Sequence, residues 1–361
     1  MPTITGILFA TLASVCNGSW TLTIKIKAVA ESDPHPIIFN FFFSLGYFAA
    51  SLVPAFAVSA SLDLNVMGVL SGAILDASVL FAFIATQFVG VAVAAGIFCS
   101  VGLVTGFVWG VGILAQPAQN LALALVGVVL TLIAIAGVLN AHKFNPSDDD
   151  LRQTSDGGGI HDTPMSQPLN QEGDTFAFNA ANSPENLEVD KRIKGAAVSV
   201  LVGICGGSYL APSFYSSDDI YADLKPMFTF VASLGVGVFA FALAALALLG
   251  ISTALLIYRK SGTGADEFAA LSRAVAMNCR TMGPYGAAGG VIYLLSTVCA
   301  FAAIFKGAPL AVVGTILQTA LLVNGAWGIC LFSELQGRGI TVFFTSSLAM
   351  LCGATLVAFG G

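Results

Sequence analysis

Residues 71–110 read SGAILDASVLFAFIATQFVGVAVAAGIFCSVGLVTGFVWG, and residues 289–328 read GGVIYLLSTVCAFAAIFKGAPLAVVGTILQTALLVNGAWG. The two stretches align without a gap. Ten of the forty positions are identical, among them Gly72/Gly290, Ser78/Ser296, Phe83/Phe301, Gly96/Gly314 and Trp109-Gly110/Trp327-Gly328. Apolar composition alone gives a few matches; it hardly places Trp-Gly at the same point twice. A second correspondence lies outside this window, where Cys16-Asn17-Gly18-Ser19-Trp20 is echoed by Cys205-Gly206-Gly207-Ser208-Tyr209. The sequence therefore reads as two copies of one unit.

Hydropathy says what each unit contains. The 361 residues are 57% hydrophobic and only 9% charged, against ~25% charged in a typical soluble protein, and mean hydropathy is +0.88. A soluble chain so poor in charge has too little polar surface to cover itself, so this one belongs in a membrane. A spanning helix needs ~20 mostly apolar residues. Ten stretches qualify, at about 4–25, 36–58, 65–85, 88–110, 121–140, 195–215, 226–257, 286–305, 308–332 and 339–359. Long apolar runs without period-2 alternation make these helices rather than barrel strands. The first stretch is kept as a span and not a cleaved leader, because no Lys or Arg precedes its apolar run and its end recurs inside the chain.

The expected fold class is an all-α membrane protein with ten transmembrane helices. A first five-helix repeat occupies 1–140, a hydrophilic segment 141–194, and a second five-helix repeat 195–361. Five is odd, so the second copy is expected to enter the membrane upside down relative to the first. Inverted repeats of that kind build secondary transporters, which hold their solute near the midplane where the halves meet.

The segment 141–194 holds 10 of the 20 acids and 5 of the 14 bases, with Asp148-Asp149-Asp150 and a Gly157-Gly158-Gly159 run. It has too few large apolar residues to offset its ordering entropy and is expected to be disordered. It is either a plain linker or a regulated one, with Thr163-Pro164 and Ser183-Pro184 as phosphorylation candidates. Twelve of the 14 Lys and Arg residues fall on the side of this segment, and only Lys225 and Lys306 on the other. That bias puts the loop in the cytoplasm and both termini outside or in a lumen, in a plasma membrane or an endomembrane.

Polar residues inside the spans are the functional candidates. Asp76 is the only acid well inside an apolar span. A charge at that depth costs roughly 2.5–3.5 kcal/mol on insertion scales, so Asp76 is expected to face a cavity or a partner. It is either a proton-coupling site or an acid that stabilises helix packing. Ser19, Ser208, Gln318 and Asn324, with Asn40, Ser78 and Ser296, are suited to hydrogen-bonding a solute's hydroxyls or amides, or else to bonding between helices. Trp20, Tyr209, Trp109 and Trp327 can stack on a flat ring and orient it, or belong to the aromatic belts at the membrane surface. The polar groups look isolated, without the continuous stripe a channel needs. Asn17-Gly18-Ser19 matches a glycosylation site but lies within a span.

These residues carry a family resemblance. Gly18-Ser19-Trp20 followed by Lys25 resembles the first-helix signature of the glucose/ribose porter family and its eukaryotic relatives, including plant ureide permeases. The stretch Leu321-Leu322-Val323-Asn324-Gly325-Ala326-Trp327-Gly328, then Phe332, Glu334 and Gly337-Arg338, looks like that group's most specific motif. Gly289-Gly290 and Asn40 are similar too. The group belongs to the drug/metabolite transporter superfamily, whose members have ten helices in two inverted halves. The resemblance implies a carrier of carbohydrate, or of a ureide or nucleobase-like heterocycle. Two features depart from it. No GxxxxGK[ST] motif occurs in the central loop, and Leu22-Thr23 stands where many relatives carry Val-Pro.

The expected partners are a small polar organic solute and the lipid bilayer. Net charge -6 argues against nucleic acid, which needs a basic footprint. No HExxH, GxSxG or strand-borne GxGxxG motif is present, so an enzyme is not expected. The seven cysteines form no CxxC pair and read as small buried hydrophobes, so neither a metal nor a cofactor is expected. A non-transporting receptor or scaffold, working through the central loop, is the alternative of another class.

Overall fold

The computed structural model of the chain describes residues 3–30, 35–58, 63–89, 91–116, 119–144, 184–216, 220–221, 223–259, 264–332 and 337–360. Among them, ten helices are long and apolar enough to cross a membrane: α1 (Ile4–Lys25), α2 (Pro36–Val58), α3 (Val66–Val89), α4 (Ala94–Ile113), α5 (Leu121–Val138), α6 (Lys191–Tyr215), α7 (Leu224–Ser252), α8 (Cys279–Phe305), α9 (Leu310–Leu331) and α10 (Arg338–Gly360). No strand occurs among the described residues. The molecule is an all-α, multi-pass membrane protein.

Helix limits follow local chemistry. Thr3 caps the first helix by accepting from the Gly6 N–H at 3.1 Å, and Asn120 caps α5 through the Leu123 N–H at 3.1 Å, each satisfying a donor that has no partner within the helix. Gly307, at φ 84°, reverses the chain between α8 and α9, a conformation that side chains with a Cβ rarely adopt. Two helices overrun the bilayer. The helix containing α7 extends over Leu224–Arg259 and that containing α8 over Gly264–Phe305, 42 residues or roughly 63 Å, against ~30 Å of hydrocarbon. The sequence had span eight starting only at 286; polar residues continue the helix outside the apolar window.

Most of the expected disordered segment, 145–183, lies outside the described residues, as does Glu334. The segment's two ends are helical: Ala141–Phe144 forms a short 3-10 turn, and the helix of α6 already starts at Pro184.

Packing joins the two halves far more than it joins neighbours in sequence. Helix α1 runs antiparallel to α8, since Gly6 meets Ala303 while Gly289 meets Thr23. It runs parallel to α9, with Ser14 against Thr319 at 2.7 Å and Thr21 against Asn324 at 2.9 Å. Helix α6 is antiparallel to α3, where Ser71 donates to the Tyr209 carbonyl and Gly195 faces Val89. It is parallel to α4, where Gly203 faces Val101 and Gly207 faces Gly102. Helices α2 and α8 are parallel, as are α3 and α7. Helices α5 and α10 form an antiparallel pair through Gly127, Gly353 and the Asn120 N–H bonded to Gly360. These contacts use small residues because without a hydrophobic drive between helices in lipid, close backbone approach supplies the attraction.

Candidate functional site

The first helix of each half loses its α form just after a Gly-Ser pair. The helix of α1 proper stops at Ser19 and that of α6 at Ser208. Past Ser19 the backbone bonds shorten to i→i+3, Thr23 N–H to Trp20 O at 3.1 Å and Ile24 N–H to Thr21 O at 3.2 Å, and the Thr21 hydroxyl donates to the Gly18 carbonyl at 3.1 Å. Beyond Ser208 the chain tightens into a 3-10 turn at Ala211–Tyr215, where Pro212 has no N–H to continue an α-helix. In the fourth helix of each half, α4 widens to a π turn at Val108–Ile113, around Trp109, whereas α9 breaks at Thr319, between Leu310–Gln318 and Ala320–Phe332.

Around these irregular stretches lies a cavity of about 90 Å³, room for several waters or for part of a small solute. Residues of α1, α3, α4, α6, α8 and α9 line it, near mid-depth in most of those spans. Its polar wall is made of Asn17, Thr21, Ser78, Gln318 and Asn324, and its aromatic wall of Trp20, Tyr209 and Tyr293. None of the described residues lining it is charged. Gly102, opposite Gln318, leaves the space that the Gln318 amide enters. Trp20 is buried within the protein. It is 7% exposed and held edge-on by Phe43, Phe83 and Tyr293 at 5.4–5.7 Å between ring centres, geometries favoured by the ring quadrupoles.

Of the sequence candidates, the structure gathers Trp20, Ser78, Tyr209, Gln318 and Asn324 on this cavity. Ser19, Ser208, Ser296, Trp327, Asn40 and Asp76 are not among its lining residues. Four of them make ties between the halves. The Trp109 indole N–H donates to Ser208 Oγ at 2.8 Å, and the Trp327 N–H to Ser19 Oγ at 3.1 Å. Likewise Ser78 Oγ donates to Val202 O at 3.1 Å and Ser296 Oγ to Ala13 O at 2.7 Å. Each tie has its counterpart with the halves exchanged: Ala13 stands six residues before Ser19 as Val202 stands six before Ser208.

Asp76 is fully buried at the α2–α3 contact. Its Oδ2 accepts from Asn40 Nδ2 at 2.9 Å, and its Oδ1 lies 2.5 Å from Ser44 Oγ. Ser44 Oγ is also 2.8 Å from the Asn40 carbonyl, while Asn40 Oδ1 has no hydrogen-bond partner. Val79, one turn along α3 from Asp76, lines the cavity.

The sequence reading missed Asn17, Thr21 and Tyr293 in the cavity wall, and Ser44 and Tyr47 beside it. One signal was there. Asn40, Ser44, Tyr47 and Ser51 recur at helical spacing, and all four are at most 1% exposed. Helix α2 thus carries a buried polar stripe where the sequence suggested isolated groups. Asn17, set aside as part of a glycosylation sequence, faces the cavity instead.

No family model matches the chain, and no curated protein matches it. A solved structure, described only as the crystal structure of a protein, superposes with a TM-score of 0.54 at 13% sequence identity, over 98% of this chain and 97% of that one. At such identity the likeness is one of fold alone, and it extends over the whole length of both chains.

Proposed function

We propose that the protein is a secondary transporter that moves a small, neutral, polar organic solute across a membrane by alternating access. The observation that carries this reading is the uncharged cavity, mainly apolar with a few polar groups, built at mid-depth by helices of both halves. A charged cargo held there would need a countercharge, and none of the described lining residues supplies one. The side-chain amides of Asn17, Gln318 and Asn324 each offer both donors and acceptors, which suits the vicinal hydroxyls of a carbohydrate. A ureide or nucleobase-like heterocycle, whose ring N–H and C=O groups pair equally well with amides, is the second choice.

The proposed cycle rests on an inverted repeat. The exchanged ties of Trp109–Ser208 with Trp327–Ser19, and of Ser78–Val202 with Ser296–Ala13, support a pseudo-two-fold axis relating residues 1–140 to 195–361. Such an axis lets one body present the same site to either side by rocking. The charge bias places the central loop in the cytoplasm.

Purified protein in liposomes is expected to move radiolabelled D-glucose, allantoin or uracil; flux of none of them would end this reading. For the solute carried, Gln318→Ala removes one bidentate polar contact and should raise KM about tenfold without changing thermal stability. Deleting residues 150–190 should leave flux intact. Loss of flux in that deletion would favour the receptor or scaffold, whose working part is the loop.

Proton coupling is the regulatory part of the proposal, and Ser44 is what favours it. A hydroxyl has one proton and two acceptor positions. Donating to Asp76, Ser44 satisfies a carboxylate. Turned to the Asn40 carbonyl, it can accept the proton of the neutral acid. Both protonation states are thus served without moving a heavy atom.

A further inference from the structure

The wall of the cavity formed by Tyr209 and Tyr293 has a third phenol behind it. The Tyr47 ring lies 6.4 Å from that of Tyr293, and Tyr47 is 0% exposed. Its hydroxyl has no well-formed hydrogen-bond partner: the Thr297 hydroxyl, which donates to the Tyr293 carbonyl at 3.2 Å, offers it only a weak contact. Tyr209 shares the cavity wall with Tyr293 and one buried cluster with Tyr47, against which Tyr221 also packs. Tyr221 in turn meets Ser213 at 2.6 Å between oxygens, in the 3-10 turn that ends α6 and on the face opposite the central loop. A file of phenols therefore leads from the cavity toward that face, through an otherwise apolar core that includes Leu210, Leu310 and Val313.

A buried hydroxyl left unpaired forfeits its hydrogen bond and keeps its desolvation cost. Phenylalanine would fill the same space at Tyr47 without that penalty. The hydroxyl makes sense if something bonds to it in another conformation.

We propose that Tyr47, Tyr209 and Tyr293 form a second solute subsite, engaged when the protein turns toward the face opposite the central loop. Its ligand is the same class of neutral solute, held by hydroxyl or N–H groups against phenol oxygens and by its apolar edges against the rings. This rests on the carrier reading above and adds to it where the solute binds in the opposite-facing state.

The test is Tyr47→Phe, reconstituted in one orientation and assayed from each side with whichever of D-glucose, allantoin and uracil the unaltered protein carries. The expected result is a KM raised about fivefold to tenfold from the opposite face, and within twofold of the parent from the loop face. Thermal stability should be equal or higher, because at most a weak contact to Thr297 is lost. Unchanged KM on both faces overturns the subsite while leaving the carrier reading intact. So does an equal rise on both faces, or a marked fall in stability, since either makes Tyr47 a structural residue. If the unaltered protein carries none of the three probes, the carrier reading fails and the subsite falls with it.

Discussion

Gly290→Leu and Gly72→Leu are each expected to abolish folding of the protein into a monodisperse form in mild detergent. These glycines are equivalent in the two repeats and sit at equivalent crossings, Gly72 of α3 on α7 and Gly290 of α8 on α2. A Cβ on Gly72 would overlap the Leu234 carbonyl oxygen and come within 2.8 Å of Val238 N. One on Gly290 would overlap the Phe43 carbonyl oxygen and come within 2.7 Å of Tyr47 N. The obstacles are backbone atoms, so no rotamer change relieves them and the helix axes must separate. Overpacking of one or two carbons costs about 1–3 kcal/mol, which is the loss expected for either alanine variant. Leucine adds three more carbons at a contact whose attraction depends on close approach and should exceed that range. The control is Gly250→Ala on α7, which meets nothing within 4 Å and should melt at or above the parent temperature. A Gly290→Leu protein that melts with the parent would show that the crossing is not as close as described.

Asp76→Asn should eliminate accumulation driven by a pH gradient while solute exchange at equal pH persists. The amide is nearly isosteric and can keep one bond to Ser44 and one to Asn40, but it has no proton to give up. Asp76→Ala is a different experiment. It strands the Asn40 amide in a buried contact, while Ser44 falls back on the Asn40 carbonyl, and should cost about 1–3 kcal/mol of stability, lowering all flux together. Full pH-driven uptake by Asp76→Asn would leave the acid a packing element of α2 and α3 and no more.

Much of the architecture could be read before any coordinate. Each span declares itself, because transfer of apolar side chains from water is roughly additive along a helix and needs no knowledge of neighbours. The Trp-Gly and Gly-Ser-aromatic echoes pointed to residues that the fold uses in matched ties, Trp109 to Ser208 and Trp327 to Ser19. Composition alone excluded a soluble chain.

The cavity was less legible, for a physical reason. A polar residue within lipid must find a partner, and the sequence says that it needs one without saying which. Ser78 and Ser296 are equivalent in the repeat and both bond a carbonyl of the other half, yet only Ser78 also borders the cavity. Asn17 and Gln318 face open space, while Asn40 and Asp76 close on each other. What separates these outcomes is the rotation of each helix about its axis. That rotation is set by close crossings such as those at Gly72, Gly203 and Gly290, between segments far apart in sequence. The amino-acid order settled how many times the chain crosses the membrane and which residues are polar there; the crossings decided which of them face the cavity.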